Sequence, residues 1–190
     1  VEARLKFKFR EKNLLVTFHP ETLSKTSPTE QCTELLAALD SVASHDTAII
    51  FTMPNADTGG LSIAKQIKQY CSTRPHTAFY QSLGSLYVSV LAHVDMVVGN
   101  SSSGLYEAPS LKIPTIDIGD RQKGRLAASS VIRCECTRRA IAAAIKRGFQ
   151  LDCSKAVNPY GNGTAAKKTV RVIAKAKLDT SILKKHFFKV

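Results

Sequence analysis

A serine cluster followed by a lone glutamate is the first feature of this sequence that could do chemistry. Residues 97–109 read VVGNSSSGLYEAP; the candidate phosphate-binding residues are Ser101, Ser102, Ser103 and Gly104, and the candidate carboxylate is Glu107. Hydroxyls and backbone N–H groups at a helix start suit a phosphate, and a nearby carboxylate can accept two hydrogen bonds from a ribose diol. The alternative is a plain helix cap, with Glu107 complementing the helix dipole. The cluster alone favours the two interpretations equally.

Further polar side chains follow other apolar runs. They are His19 after 14–18, Asn55 after 48–52, and Arg121 and Arg125 after 113–118. A histidine at a strand end could donate to a phosphate or transfer a proton, and two arginines flanking Gly124 could fold over a diphosphate. The plainer alternatives are a loop histidine bonded to backbone, a turn asparagine after Pro54, and arginines on a solvated loop.

The elements that must position these residues alternate along the chain. Strands are predicted at 14–18, 48–52, 77–80, 96–98, 113–118 and 131–133, and helices at 28–43, around 63–70, at 86–93, from about 105, at 138–147 and at 164–177. This alternation predicts a Rossmann-like α/β fold, a parallel sheet with helices on both faces. Ligands bind outside the carboxyl ends of such strands, so the polar loops should share one crevice, with Glu107 on the first turn of a helix.

Two local signals refine that outline. Ser27, Pro28 and Glu30 predict a helix that begins with a capping box. The chain shows no GxGxxG, GxxxxGK[ST] or GxSxG pattern and no paired carboxylates on these loops. We therefore expect a nucleotide cradle without a catalytic engine of its own, and no nicotinamide cofactor.

Composition limits the class of protein. The chain is 44% hydrophobic, has no apolar run long enough to cross a bilayer, and begins without the apolar region of a signal peptide, so we expect a soluble, cytoplasmic protein. The 5 cysteines are an odd number without CxxC or Cys/His spacing. This predicts neither a disulfide framework nor a metal site, and packing is the preferred interpretation of Cys134 and Cys136.

The net charge of +12 is concentrated near the end of the sequence. Residues 121–190 hold seventeen of the 27 basic groups and three of the 15 acidic ones. Within 164–177 the lysines and arginines recur at helical spacing, which is typical of a solvated helix face. Docking against a more acidic domain and a nucleic-acid surface are the alternatives, and the latter is disfavoured because aromatic residues and a reader motif are missing.

Five segments carry a family resemblance. They are VTFHPET (16–22), MPNAD (53–57), VVGNSSSGLYEAPS (97–110), IPTIDIGDRQKGR (113–125) and NPYGNG (158–163). Together, in order and over nearly the whole chain, they resemble the C-terminal half of the hydrolysing UDP-N-acetylglucosamine 2-epimerases, the enzymes that start sialic acid biosynthesis.

The resemblance implies a glycosyltransferase-B type enzyme with an active site between two Rossmann-like domains. Residues 1–190 would be the UDP-binding C-terminal domain, and the catalytic carboxylates would lie in an N-terminal domain absent from this chain. Such enzymes convert UDP-N-acetylglucosamine and water to N-acetylmannosamine and UDP, by elimination and then hydration of a glycal, without a metal or other cofactor. We expect the isolated domain to bind UDP weakly and to be inactive, and the full-length enzyme to be a homo-oligomer.

The resemblance also implies residue roles. Ser101 and Ser102 match phosphate-binding serines, and Glu107 matches a carboxylate that holds the ribose. Arg121 matches a nucleotide-side arginine, His19 the histidine near the diphosphate and the reacting sugar, and Asn55 an active-site asparagine; Arg125 is grouped with Asn55 on the substrate side. Segment 82–87 lacks the arginine that relatives often carry, which puts a contact from that helix in doubt.

Three other functions remain as alternatives. Non-hydrolysing epimerases typically show Gly-His-Arg-Arg after the first strand and a histidine-rich segment after the second. Here those places read FHPE (18–21) and MPNA (53–56), which favours the hydrolysing branch. The remaining alternatives are a glycosyltransferase nucleotide-binding domain and a basic nucleic-acid-binding module over 121–190.

Overall fold

A six-stranded parallel sheet forms the centre of the computed structural model, which describes residues 1–21 and 23–177. The strands are β1 (Lys12–Thr17), β2 (Thr47–Thr52), β3 (Thr77–Tyr80), β4 (Met96–Gly99), β5 (Thr115–Ile118) and β6 (Val131–Cys134). The helices are α1 (Glu2–Leu5), α2 (Pro28–Val42), α3 (Gly60–Ser72), α4 (Tyr87–Leu91), α5 (Ser103–Tyr106), α6 (Arg138–Gly148) and α7 (Ala165–Lys175). Thr22, at the end of the VTFHPET segment, and residues 178–190, part of the basic stretch, lie outside the described residues.

The strand order is β3-β2-β1-β4-β5-β6, which confirms the predicted Rossmann-like class. Leu14 pairs with Ile49 of β2 on one side and with Met96 of β4 on the other. The chain winds outward from β1 to β3 and then returns to place β4 beside β1. The order therefore reverses between β1 and β4, and ligands bind at the carboxyl side of such a switch point.

The two faces of the sheet pack against different helices. Leu14 and Val16 of β1 point into a core with α2, α3 and α6, whereas Leu15 points into a second core with α1 and α4. Strand side chains alternate between faces, so β1 is apolar on both sides and is fully buried at these three positions. This burial makes the central strands a rigid base for the loops that follow them.

The predicted capping box of α2 is confirmed. The Ser27 hydroxyl accepts from the Glu30 backbone N–H at 3.2 Å, and the Glu30 carboxylate accepts from the Ser27 N–H at 2.8 Å. Pro28 occupies the first turn, where its missing N–H has no intrahelical partner to lose. The residues that start α2 thus satisfy its end locally.

Three elements differ from the sequence prediction. The helix expected at 86–93 is a 3₁₀ turn (Gly84–Leu86) followed by α4, and the strand expected from residue 113 begins at Thr115, after Pro114, which has no N–H for the ladder. The short α1 was not predicted. Its single buried residue, Leu5, joins the second core, a tertiary contact that four residues do not reveal by periodicity.

The chain divides into two compact units, residues 1–159 and residues from Tyr160 onward. The first contains the whole sheet. The second contains α7, which carries Lys167, Lys168, Arg171 and Lys175 as the charge pattern predicted. In the described part of the chain, no helix combines the length and the apolar character needed to cross a membrane.

All five cysteines are free thiols. Burial raises the pKa of the Cys134 and Cys136 thiols to about 12, with smaller contributions from neighbouring acidic groups and, at Cys136, from the Cys134 thiol. Both side chains pack against the first core. A thiol with such a pKa is a poor nucleophile, in agreement with the packing interpretation.

Candidate functional site

Gly99 brings the ends of β1 and β4 together. It pairs with Thr17, and a Cβ built on it would lie 2.0 Å from the Thr17 carbonyl oxygen. Its φ of 136° is also one that side chains rarely adopt. Glycine is therefore required here, and the close approach places Asn100, the next residue, beside the loop that follows β1.

Asn100 clamps the backbone of His19. Its Oδ1 accepts from the His19 N–H at 2.7 Å, and its Nδ2 donates to the His19 carbonyl at 2.9 Å. The Asn100 carbonyl in turn accepts from Arg121 Nη1 at 3.2 Å and from Gln122 Nε2 at 2.8 Å. The loops after β1, β4 and β5 are thus joined at one residue, at the carboxyl ends of the central strands.

The environment of His19 sets its protonation. The backbone N–H of Asn55 donates to His19 Nδ1 at 2.9 Å, which leaves the ring proton on Nε2. Burial and, to a smaller extent, the positive charge of Arg121 lower the pKa of His19 to about 4, and the negative charge of Asp57 opposes them. At neutral pH His19 is therefore a neutral imidazole whose Nε2–H is a hydrogen-bond donor, and its second nitrogen is already occupied.

Asn55 reaches the same crevice through the loop after β2. Its Nδ2 donates to the Asp57 carboxylate at 2.5 Å, and its Oδ1 is buried without a hydrogen-bond partner among residues 1–21 and 23–177. A buried acceptor with no partner is costly, so it is a position where a donor from a ligand or water would stabilise the site. The binding role of Asn55 stays a prediction.

The serine hydroxyls make hydrogen bonds at the start of α5. Ser102 is the N-cap residue of α5, yet its side chain makes no capping hydrogen bond. The Ser103 hydroxyl accepts from the Tyr87 hydroxyl of α4, and the Ser101 hydroxyl accepts from the Ser103 N–H at 3.4 Å. Tyr87 lies in the segment without the expected arginine, so that helix does contact the cluster, although through a tyrosine. Gly104 is needed for packing, since a Cβ there would lie 2.4 Å from Thr115.

The expected position of Glu107 on the first turn of a helix is wrong. Helix α5 starts at Ser103, and Glu107 follows its last residue. Pro109 lacks an N–H, so the chain turns into a 3₁₀ segment (Ala108–Leu111) instead of continuing the helix. A carboxylate at the end of a helix gains nothing from the dipole, so the dipole interpretation does not account for Glu107, which is exposed.

Arg121 and Arg125 line one open cleft, together with Glu21 and Asp57. Arg125 Nη1 donates to Gln122 Oε1 at 2.8 Å, and its guanidinium lies 5.9 Å from the centre of the Tyr106 ring. Tyr106 precedes Glu107, so this contact brings the β5 loop beside the candidate carboxylate. Each guanidinium makes a hydrogen bond to the protein, and Arg121 is half-buried whereas Arg125 is exposed.

Sequence reasoning missed the roles of Asn100, Gln122 and Tyr87. Asn100 and Gln122 are each 1% exposed. Gln122 lies in a charged loop (DRQKGR, 120–125), and the sequence of such a loop predicts that its amide side chain is exposed to solvent. A polar residue directly after the apolar run VVG was the one available signal for Asn100. Their partners come from other loops, and those pairings are not visible in the chain order.

Known proteins share both sequence and fold with this chain. The chain is 37% identical over 178 residues to the polysialic acid biosynthesis protein P7 of Escherichia coli, covering 90% of this chain and 45% of that protein. It is 39% identical over 137 residues to the GDP/UDP-N,N'-diacetylbacillosamine 2-epimerase (hydrolyzing) of Campylobacter jejuni, covering 71% and 35%. The chain therefore spans less than half the length of these relatives.

A solved structure confirms the fold. The UDP-GlcNAc 2-epimerase of Methanocaldococcus jannaschii, in complex with UDP-GlcNAc and UDP, superposes with a TM-score of 0.67 at 16% identity, covering 87% of this chain and 46% of that one. The family model described as UDP-N-acetylglucosamine 2-epimerase matches residues 2–174. With its switch-point crevice and that match over most of its length, the chain belongs to the UDP-N-acetylglucosamine 2-epimerase family.

Proposed function

We propose that this chain is the UDP-binding half of a hydrolysing UDP-N-acetylglucosamine 2-epimerase. The observation that supports the proposal is the junction at Asn100, where the residue that precedes the serine cluster bonds to both His19 and Arg121. The Campylobacter relative, named as a hydrolysing enzyme, supports this branch. The non-hydrolysing epimerases are the second candidate within the family.

The diphosphate would be bound by donors from three loops. The Ser101 and Ser102 hydroxyls and the neighbouring backbone N–H groups, His19 Nε2–H and the Arg121 guanidinium are all donors near the switch point. Hydrogen bonds to a charged phosphate are stronger than those between neutral groups. A neutral histidine adds a donor without a charge that would have to be desolvated.

The ribose would be held by Glu107. Its carboxylate has two oxygens for a diol, and it directly follows α5, whose first residue is Ser103 of the serine cluster. Arg125 lies over the ring of the adjacent Tyr106 and would close this side of the nucleotide.

The proposed reaction has two balanced steps. In the elimination, the C1–O bond to UDP and the C2–H bond of the sugar break, the C2 proton passes to a base, and UDP carries away the bonding electrons. In the hydration, water adds its hydroxyl to C1 while a proton returns to C2 on the opposite face, giving N-acetylmannosamine. The donors around the diphosphate would stabilise the charge that develops on the leaving UDP.

The base would come from a second domain. His19 is unsuited to this role, because Nδ1 already accepts from Asn55 and the pKa is about 4. The chain spans 45% of the E. coli relative, which leaves room for a second domain of similar size in such a protein. We therefore expect UDP binding but no turnover from this chain alone.

Calorimetry with UDP and with uridine tests the binding site. Arg121→Ala or Ser101→Ala should weaken UDP at least about tenfold, since a hydrogen bond to a charged group contributes roughly 1.5–3 kcal/mol, and should leave uridine binding unchanged. Glu107→Ala should weaken both ligands. Absence of UDP binding together with tight, salt-sensitive binding of duplex DNA would contradict the proposal and favour the basic module.

The branch is tested by product analysis in a full-length enzyme that contains this domain. A hydrolysing enzyme releases N-acetylmannosamine and free UDP from UDP-N-acetylglucosamine. A product that keeps UDP attached to the epimerised sugar would contradict the hydrolysing assignment while leaving the UDP site intact.

A further inference from the structure

Both polar atoms of the Asn100 side chain bond to the backbone of a single residue, His19. The side chain is 1% exposed, and its two polar atoms bond to the N–H and the carbonyl of His19 at 2.7 and 2.9 Å. Two hydrogen bonds of opposite direction to the same residue fix that stretch of backbone in position and in rotation. The His19 side chain consequently leaves a backbone that cannot drift away from β4.

The main chain of Asn100 fixes a second loop. Its carbonyl accepts from Arg121 Nη1 at 3.2 Å and from Gln122 Nε2 at 2.8 Å. Gln122 is as buried as Asn100, so the second bond is shielded from water. A shift of Asn100 would therefore move His19 and Arg121 together.

The charged groups around His19 are held in the same network. Arg121 lies on the β5 loop, and Asp57 lies on the β2 loop, where Asn55 Nδ2 binds its carboxylate. Asn55 also donates from its backbone to the imidazole. The positive charge of Arg121 lowers the pKa of the ring and the negative charge of Asp57 raises it, and each of these groups lies on a different loop.

We propose that Asn100 is the positioning residue of the UDP site, and that its clamp holds His19 and Arg121 so that both donate to the same diphosphate. The inference rests on the proposed function for the identity of its ligand, UDP. The effect of Asn100 on the position of His19 does not depend on that ligand. Asn100 itself does not need to touch the ligand. Its contribution is preorganisation, which reduces the ordering that binding would otherwise require.

A matched control lies at the amino end of β1. Asn13 is 6% exposed, and its side chain makes the same pair of bonds to the backbone of Arg10, accepting from the N–H at 2.8 Å and donating to the carbonyl at 2.8 Å. Asn13→Ala therefore removes a buried amide clamp of the same kind without touching the crevice.

The experiment compares Asn100→Ala, Asn100→Ser and Asn13→Ala with the wild-type chain. UDP affinity is measured by calorimetry, and the His19 tautomer, its titration and the hydrogen exchange of its backbone amide are measured by NMR. Both Asn100 variants should weaken UDP at least about tenfold, because two donors lose their alignment. The His19 pKa should rise from about 4 toward 6.5, since the freed loop exposes the ring. Asn13→Ala should lower stability and change neither UDP affinity nor the His19 titration.

Each part of the proposal has its own contrary result. An Asn100 variant that folds, binds UDP as the wild type does and leaves the His19 titration unchanged would reduce Asn100 to a structural cross-link. In the wild-type chain, a His19 amide that exchanges as fast as exposed loop amides would overturn the clamp without any variant.

Failure of the proposed function gives a different pattern. If the wild-type chain does not bind UDP but Asn100→Ala still shifts the His19 titration, the UDP site is wrong and the positioning of His19 stands. If UDP binds and only the Asn100 effects are missing, the function stands and the positioning role is wrong.

Discussion

Two buried asparagines, one at the amino ends of the strands and one at their carboxyl ends, make the same pair of hydrogen bonds to a backbone. The consequences of the two pairs are opposite. Asn13, at the start of β1, clamps Arg10, three residues earlier in the chain. Asn100, after β4, clamps His19, from which it is separated by 81 positions. The first clamp closes a local turn. The second joins two loops that meet only because β1 and β4 are neighbours.

The partners of the two clamps explain why the carboxyl ends of the strands resemble a binding site and the amino ends at Asn13 do not. At Asn13 the remaining contacts go to Asp95, whose carboxylate accepts from the Asn13 backbone at 2.7 Å and from its side chain at 3.1 Å, so these groups are satisfied within the fold. At Asn100 the clamp leaves donors available, namely the His19 ring N–H, the serine hydroxyls and the Arg121 guanidinium. The same pair of hydrogen bonds stabilises the fold at the amino ends of the strands and, in the proposed UDP site, would align donors at their carboxyl ends.

The largest expected effect on stability comes from a substitution that separates β1 from β4. Gly99→Ala should destabilise the chain by at least about 3 kcal/mol, because the new Cβ would lie 2.0 Å from the Thr17 carbonyl in a strained conformation. Urea unfolding measures the loss. Gly124→Ala, also at positive φ but with no atom within 4 Å, is the control and should cost roughly 1–2 kcal/mol. Equal losses would mean that the close approach at Gly99 is not what requires glycine.

The pH dependence of stability distinguishes the Asn100 clamp, which holds His19, from the Asn13 clamp. The pKa of His19 is about 4 in the fold, below its ordinary value of 6.5, so the unfolded chain binds more protons between these values. Stability should therefore fall as the pH is lowered from about 6.5 to about 4, with the positive slope that proton linkage requires.

Unfolding free energies measured across that range test this linkage. His19→Gln should flatten the profile, while Asn13→Ala should lower the whole curve and keep its slope. A His19→Gln profile parallel to that of the wild type would show that another group carries the pH dependence.

The smallest effect sharpens the comparison within the crevice. Gln122→Met removes the bonds to the Asn100 carbonyl and to Arg125 Nη1, each 2.8 Å long, while keeping the volume of the side chain. UDP affinity should fall a few-fold, on the order of 0.5–1.5 kcal/mol. Gln31→Met, at a glutamine 2% exposed on α2, is the control and should leave UDP affinity unchanged in calorimetry. A similar loss in both variants would point to general loosening of the fold.

Local chemistry made much of the fold predictable. The capping box at Ser27, the apolar runs of β1 and β2 and the alternation of strand and helix depend on neighbouring residues, and each was placed within a few positions. The crevice was predictable for the same reason, because parallel strands that end in polar residues present them at one edge. Glu107 was misplaced because α5 starts at Ser103 and ends at Tyr106, so that Glu107 follows the helix instead of lying on its first turn.

The sequence by itself determined the class of fold, the loops that carry polar groups and the family of this chain, since patterns of period, capping and motif order are written in consecutive residues. Only the tertiary structure decided that Asn100 holds His19 and Arg121, that Gln122 bonds to the Asn100 carbonyl, and that Tyr87 meets Ser103. Those pairs are far apart along the chain, and their partners are selected by the order of strands in the sheet. A hydrogen bond needs its two atoms within about 3 Å, and for residues in different loops that distance is set only when the sheet has formed.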